Sequence, residues 1–206
     1  MGLYERFVLP RIIDLTCGSK PVMRQRGKVV PHARGRILEV GMGSGLNLPY
    51  YDADKVEFVW GLEPSEGMRE RAEPRLSASP LEVRWLGLKG EEIPLEDNSV
   101  DTVVLTYTLC TIPDYRLALE QMRRVLKPDG QLLFCEHGKA PDKAIKKWQD
   151  RLNPVWKVIG GGCNLNRDIP QILGQSGFGI KNLETMYLPK TPRIAGFQYW
   201  GHAGIT

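Results

Sequence analysis

Twelve residues constrain this chain more than any others: Ile37-Leu38-Glu39-Val40-Gly41-Met42-Gly43-Ser44-Gly45-Leu46-Asn47-Leu48, an apolar run that ends on a carboxylate and breaks into alternating glycines. Ile37, Leu38 and Val40 suit a strand buried on both faces of a parallel sheet. Glycine admits φ > 0 and lets a ligand lie directly on the backbone, so a strand opening into such a loop points to a nucleoside-bearing small molecule.

The glycine spacing separates two cofactor classes. A dinucleotide loop reads G-x-G-x-x-G and sets a pyrophosphate on a helix N-terminus. Here Gly41, Gly43 and Gly45 alternate strictly, and Glu39 just before them would repel a pyrophosphate. A carboxylate suits an ammonium or sulfonium instead, which favours S-adenosylmethionine (SAM) over NAD. A second apolar run, Val56 to Leu62, closes on Glu63 before Pro64 and Ser65. At the tip of the second strand of a βαβ unit, a carboxylate can accept hydrogen bonds from both ribose hydroxyls.

Further segments carry a family likeness. Glu91 to Val104 (EEIPLEDNSVDTVV) and Arg124 to Phe134 (RVLKPDGQLLF), together with the glycine loop, resemble the class I SAM-dependent methyltransferases from about Gly35 to the C-terminus. The resemblance implies an α/β, Rossmann-like three-layer sandwich whose mostly parallel seven-stranded sheet ends in an antiparallel β-hairpin. It also implies SAM as cofactor and S-adenosylhomocysteine as product. The expected cofactor contacts come from Glu39, Gly41, Gly43, Gly45 and Asn47, then from Glu63 and Pro64, and finally from Thr106 and Leu109 at the end of the fourth strand. Lys89-Gly90 stands where the family often has an acidic residue followed by Ala, so backbone groups of Gly90 and Glu91 are expected to read the adenine edge.

Alternating strands and helices from Gly35 onward imply a parallel sheet. Strands are expected near 36–40, 56–62, 81–86, 100–106 and 130–136, with late strands near 178–187 and 194–202. A short helical pattern follows the glycine loop, and the clearest helix is Asp114 to Lys127. Beyond Ala140 come a Trp-bearing helix, a Gly160-Gly161-Gly162 break and a helix from Asp168 to Gln175. No repeat or linker divides the chain, so one domain over 1–206 is expected: an N-terminal helical cap over 1–34, then a core carrying an acceptor-covering insert at about 140–176.

Methyl transfer requires alignment of the acceptor and exclusion of water; a base is needed only if the acceptor atom arrives with a proton. Ligands bind at the carboxyl ends of strands in open α/β sheets. There His137, with an ordinary pKa near neutrality, is the first candidate base and Cys110 the second. Trp148, Trp156, Tyr187 and Phe197 offer apolar walls for an acceptor, with Tyr4 and Phe7 of the cap closing over it. Phe134 to His137, Trp148-Gln149, Asn153 to Lys157 and Gly160 to Arg167 narrow the resemblance to the mammalian alkyl-thiol methyltransferases and their soluble bacterial relatives. A thiol acceptor is thereby implied. Rivals are a phospholipid N-methyltransferase, a quinone-precursor C-methyltransferase and a SAM-binding sensor without turnover.

Charge sits unevenly: residues 1–36 hold eight basic against two acidic residues, while the remainder is slightly acidic. That segment reads as a solvated helical face, or as attraction to an anionic surface. No aromatic residues interleave with a basic stripe, so no nucleic-acid partner is expected. No run approaches the 18 apolar residues of a membrane span, and the long apolar N-terminal anchor of the mammalian members is lacking, so peripheral membrane contact at most is expected. Four cysteines, Cys17, Cys110, Cys135 and Cys163, lie far apart without metal-ligand or redox-pair spacing. Reduced thiols, a cytoplasmic location and no metal follow as expectations; oligomeric state is left open.

Overall fold

The computed structural model describes residues 9–206. Tyr4 and Phe7, expected over the acceptor, lie outside the described residues. Two helices, α1 (Leu9–Cys17) and α2 (Lys20–Val29), precede β1 (Gly35–Val40). The core continues through β2 (Val56–Leu62), α3 (Glu66–Ser77), β3 (Val83–Leu86), β4 (Val100–Thr106), α4 (Tyr115–Val125) and β5 (Leu126–His137). It closes with α5 (Lys143–Ile159), α6 (Ile169–Gln175), β6 (Phe178–Tyr187), α7 (Arg193–Gly196) and β7 (Phe197–Ile205).

All seven strands form one sheet in the order β3-β2-β1-β4-β5-β7-β6. The first five run parallel, while β7 pairs antiparallel with both β5 and β6, as the expected terminal hairpin. Because the order reverses between β1 and β4, a crevice opens beyond their carboxyl ends, the place where ligands bind in such sheets. Two buried apolar clusters flank the sheet. One gathers Leu38, Leu105, Leu119 and Phe134, and the other Ile37, Val59, Val104 and Trp200.

Element boundaries depart from the sequence pattern where backbone chemistry intervenes. Helix α4 is shorter than expected: Asp114 caps it by accepting the Leu117 N–H at 3.0 Å, and the helix stops at Val125. Pro128 disfavours helical backbone at Lys127, and the chain passes directly into β5, which begins at Leu126 rather than near 130. The helical pattern after the glycine loop is only a 3-10 turn over Leu48–Tyr50. Among the described residues, no helix is long and apolar enough to cross a membrane.

Candidate active site

The glycine loop takes the conformation its sequence demands. Gly41, Gly43 and Gly45 have φ of 68°, 59° and 77°, a region that penalises any side chain. At Gly41 the space is also closed, since an added Cβ would lie 2.3 Å from Thr108 Cγ2. The loop therefore packs directly on the segment that follows β4.

Glu63, at the end of β2, ties this loop to the next helix. Its Oε2 accepts the Gly43 N–H at 3.0 Å and its Oε1 the Ser65 N–H at 2.8 Å. Burial raises its pKa against those two bonds, so further donors would be welcome. Each oxygen keeps a second acceptor position. That arrangement fits an adenosyl ligand, with two hydroxyls on Glu63 and the chain's glycine backbone beneath it. Gly90 is buried and Glu91 half-buried, while Pro64 is exposed beside Glu63.

Glu39 departs from its expected position. The pleat of β1 turns its side chain under residues 47–51, where it is 1% exposed rather than lining the loop surface. Asn47 donates to one oxygen at 2.9 Å and the Tyr51 hydroxyl to the other at 2.6 Å. Burial pushes its pKa up to about 7 despite the Tyr51 and Asn47 hydrogen bonds and the nearby Arg26 charge. Its direct work is to hold the segment after the glycines in place.

The basic N-terminal segment contributes more than a solvated face. Arg26 of α2 is buried and donates to Asn47 Oδ1 at 2.9 Å and Thr106 Oγ1 at 2.7 Å. Asp14 of α1 accepts the Ser44 hydroxyl at 2.5 Å and pairs with Arg71 at 3.0 Å. Both helices thus grip the glycine loop and the residues after it from outside the sheet.

At the carboxyl ends of β4 and β5 the arrangement changes. Tyr107 has φ of 54°, a strained value for a bulky residue that costs about 1–3 kcal/mol and is characteristic of functional sites. Glu136 Oε1 accepts the Thr108 and Leu109 N–H groups at 2.7 and 2.9 Å, fixing the turn that presents Cys110. Burial drives the Glu136 pKa up to about 7 against those bonds. His137 Nε2 lies 3.2 Å from Cys163 Sγ. Burial opposes its protonation, but the Cys163 thiol and Glu136 outweigh it, leaving the imidazole pKa raised. Glu136 Oε2 and His137 Nδ1 are buried and have no hydrogen-bond partner among the described residues.

Cys163 arrives from a distant segment. After α5, Gly161 and Gly162 take φ of 59° and 95°, which turns the chain back over the sheet edge. There the Asn164 backbone N–H and side-chain amide both donate to the Cys110 carbonyl at 2.9 Å. Cysteines 53 positions apart in sequence are thereby brought together, so their spacing along the chain concealed a shared site.

Other candidates are placed differently from expectation. Leu109 is wholly buried in the core, and only its backbone faces Glu136 and Arg167. Trp148 and Trp156 are 53% and 41% exposed on the outer face of α5, and Trp148 stacks with Arg151 instead of walling a pocket. The inward face of α5 is polar. Gln149 accepts the Ala140 N–H at 2.8 Å and donates to the carbonyls of Gly138, Leu165 and Ile194, while Asn153 accepts the Leu165 N–H at 2.7 Å. Their spacing of four, in a helix whose apolar residues form a separate stripe, was the available signal for this clamp. Phe197 packs edge-on against Tyr187 and Tyr199, a hairpin contact.

Known proteins share this plan. A family described as a methyltransferase domain matches residues 38–134. Thiol S-methyltransferase TMT1B of Rattus norvegicus is 35% identical over 174 residues, covering 78% of this chain and 68% of its own. Phosphatidylethanolamine N-methyltransferase of Cereibacter sphaeroides is 33% identical over 151 residues, covering 70% and 72%. Among solved structures, a geranyl diphosphate methyltransferase in complex with SAM superposes with a TM-score of 0.69 over 89% of this chain and 85% of that one, at 14% identity. That last likeness is one of fold.

Proposed function

The chain belongs to the class I SAM-dependent methyltransferases, and from that premise we propose that its acceptor is a small apolar thiol. Bound SAM supplies a methyl group on a sulfonium that leaves readily. Glu63 and the glycine backbone would hold the adenosyl half, and backbone groups of Gly90 and Glu91 would read the base edge. Burial at the ends of β4 and β5 excludes water, which matters because positioning supplies most of the acceleration in such transfers.

One observation carries the thiol reading: the His137 imidazole stands at the end of β5 beside Cys163, with Nδ1 buried and unpartnered. A thiol with an ordinary pKa of about 8.5 must lose its proton to react well near neutrality, and His137 is the group placed to receive it. The similarity to a thiol S-methyltransferase supports the same class.

A lipid acceptor is favoured by one feature, the outer face of α5. Trp148, Leu152, Val155 and Trp156 are exposed there, with Lys146, Lys147 and Arg151 close by in sequence. An apolar stripe with basic flanks suits a peripheral helix on an anionic membrane. The decisive experiment is incubation with methyl-labelled SAM and a panel of alkyl thiols, phenols, quinols and phospholipid vesicles. Label in a thioether is the expected outcome, and label confined to lipid or quinol would overturn the reading.

A further inference from the structure

Three ligand-bearing side chains converge at the acceptor end. One ligand atom each from Cys110, His137 and Cys163 lies within 4.8 Å of the others. They come from the turn after β4, the last residue of β5 and the loop after α5, and the Asn164 bonds to the Cys110 carbonyl fasten the first of these to the third. Tetrahedral zinc with Zn–S of about 2.3 Å and Zn–N of about 2.0 Å requires donor separations of about 3.5–3.8 Å. The cluster lies within about 1 Å of that closure. Two thiols and one imidazole form a soft donor set, and three protein ligands leave a fourth position free, the pattern of reactive rather than structural zinc.

We propose that Cys110, His137 and Cys163 hold a thiophilic d10 cation of the zinc class, and that the acceptor's sulfur takes the fourth position. Site assembly stands on the geometry alone; only the acceptor step rests on the thiol reading. On coordination the acceptor R–SH gives its proton to solvent and binds as thiolate. Its sulfur forms the new S–CH3 bond while the CH3–sulfonium bond breaks, the bonding pair passing to the sulfonium sulfur to give the demethylated product. The methyl thioether is neutral and a weak ligand, so it departs. His137 then serves as a ligand through Nε2 and the metal makes the thiolate in the loaded protein; without metal, His137 keeps the base role proposed above.

The test uses the reduced full-length chain equilibrated with Zn2+, and separately with Co2+, then freed of unbound metal. One zinc per chain and a thiolate-to-cobalt charge-transfer band with tetrahedral d–d absorption are expected. Cys110→Ser and Cys163→Ser should each weaken zinc binding more than about 100-fold, beyond the effect of losing an outer-shell partner. Retained S-adenosylhomocysteine binding would confirm that these variants fold. A chain that retains no zinc and gives no cobalt band overturns the site, as does isolation of a Cys110–Cys163 disulfide in its place. For the acceptor step, chelator-stripped protein should methylate thiols up to about 30-fold more slowly at pH 7 and catch up as pH approaches the thiol's own pKa, since about 3% of a thiol of pKa 8.5 is ionised at pH 7. Equal rates with and without metal would overturn the metal's role while leaving the thiol reading intact. Zinc bound without any thiol being methylated would overturn that reading and the acceptor step, but not the site.

Discussion

The two ends of the crevice treat their buried carboxylates differently. Beyond β1 and β2 every carboxylate oxygen is paired, Glu39 with Asn47 and Tyr51 and Glu63 with Gly43 and Ser65. Beyond β4 and β5, Glu136 Oε2 and His137 Nδ1 are left without partners. A buried unpaired polar atom costs about 1–3 kcal/mol, so a fold retains one where something else will use it. The carboxylates of the donor end are thus paired in advance, although Nε of Arg26 and of Arg71 lack partners there. The acceptor end stays incomplete, with strain stored at Tyr107 between the two.

The contrast breaks most violently at Gly41. Gly41→Val sets a branched side chain against Thr108 on a left-handed backbone, and titration should show loss of SAM affinity of more than about 100-fold, since strain and overpacking together cost several kcal/mol. Unchanged affinity would mean that the loop does not carry the cofactor. At the other end, His137→Ala should lower the turnover of a thiol by about 100-fold at pH 7, with SAM affinity preserved and the deficit shrinking in alkali. A loss independent of pH would instead assign the imidazole a purely positional role.

Gln149→Leu sharpens the comparison further, because it strips one accepted hydrogen bond and an amide NH2 whose two hydrogens are shared among three carbonyls from the clamp under the acceptor end. A destabilisation of about 2–4 kcal/mol by denaturant unfolding is expected, with KM for the acceptor raised more than KM for SAM. Equal changes in both would show that the clamp supports the whole crevice.

A smaller effect tests the donor end. The folded state holds a proton on Glu39 to about pH 7, whereas the unfolded chain releases it near the ordinary value of 4.5. Stability from this group is therefore fully present below about pH 4.5 and lost as pH rises towards 7, an effect of about 1–3 kcal/mol. Glu39→Gln should flatten that part of the melting-temperature profile. A wild-type profile that rises over the same window would contradict the buried environment.

The sequence exposes the donor end far better than the acceptor end, for a physical reason. Glycine alternation, the strand-terminal Glu39 and Glu63, and apolar runs are local signals, and a parallel sheet follows from their order. The strands were legible in the same way, whereas the antiparallel hairpin came from the family resemblance. By contrast, Cys163 meets Cys110 and His137 only because Gly161 and Gly162 reverse the chain after α5, a tertiary event without a local signature. Arg26 was hidden among surface-type charges, and only the packing of α2 against Asn47 and Thr106 reveals it as buried. The tryptophans misled because size and apolarity suggested a pocket wall, whereas Gln149 and Asn153 occupy the inward face.

Calorimetric titration of S-adenosylhomocysteine into the wild type, Glu63→Ala and Cys163→Ser tests the division of the crevice most directly. Removing Glu63 orphans the Gly43 and Ser65 amides and deletes the acceptor proposed for two hydroxyls, so binding should weaken by about 100-fold or more, while Cys163→Ser should bind within about twofold of the wild type. Cofactor affinity that survives loss of Glu63, or falls as far on loss of Cys163, would contradict the account.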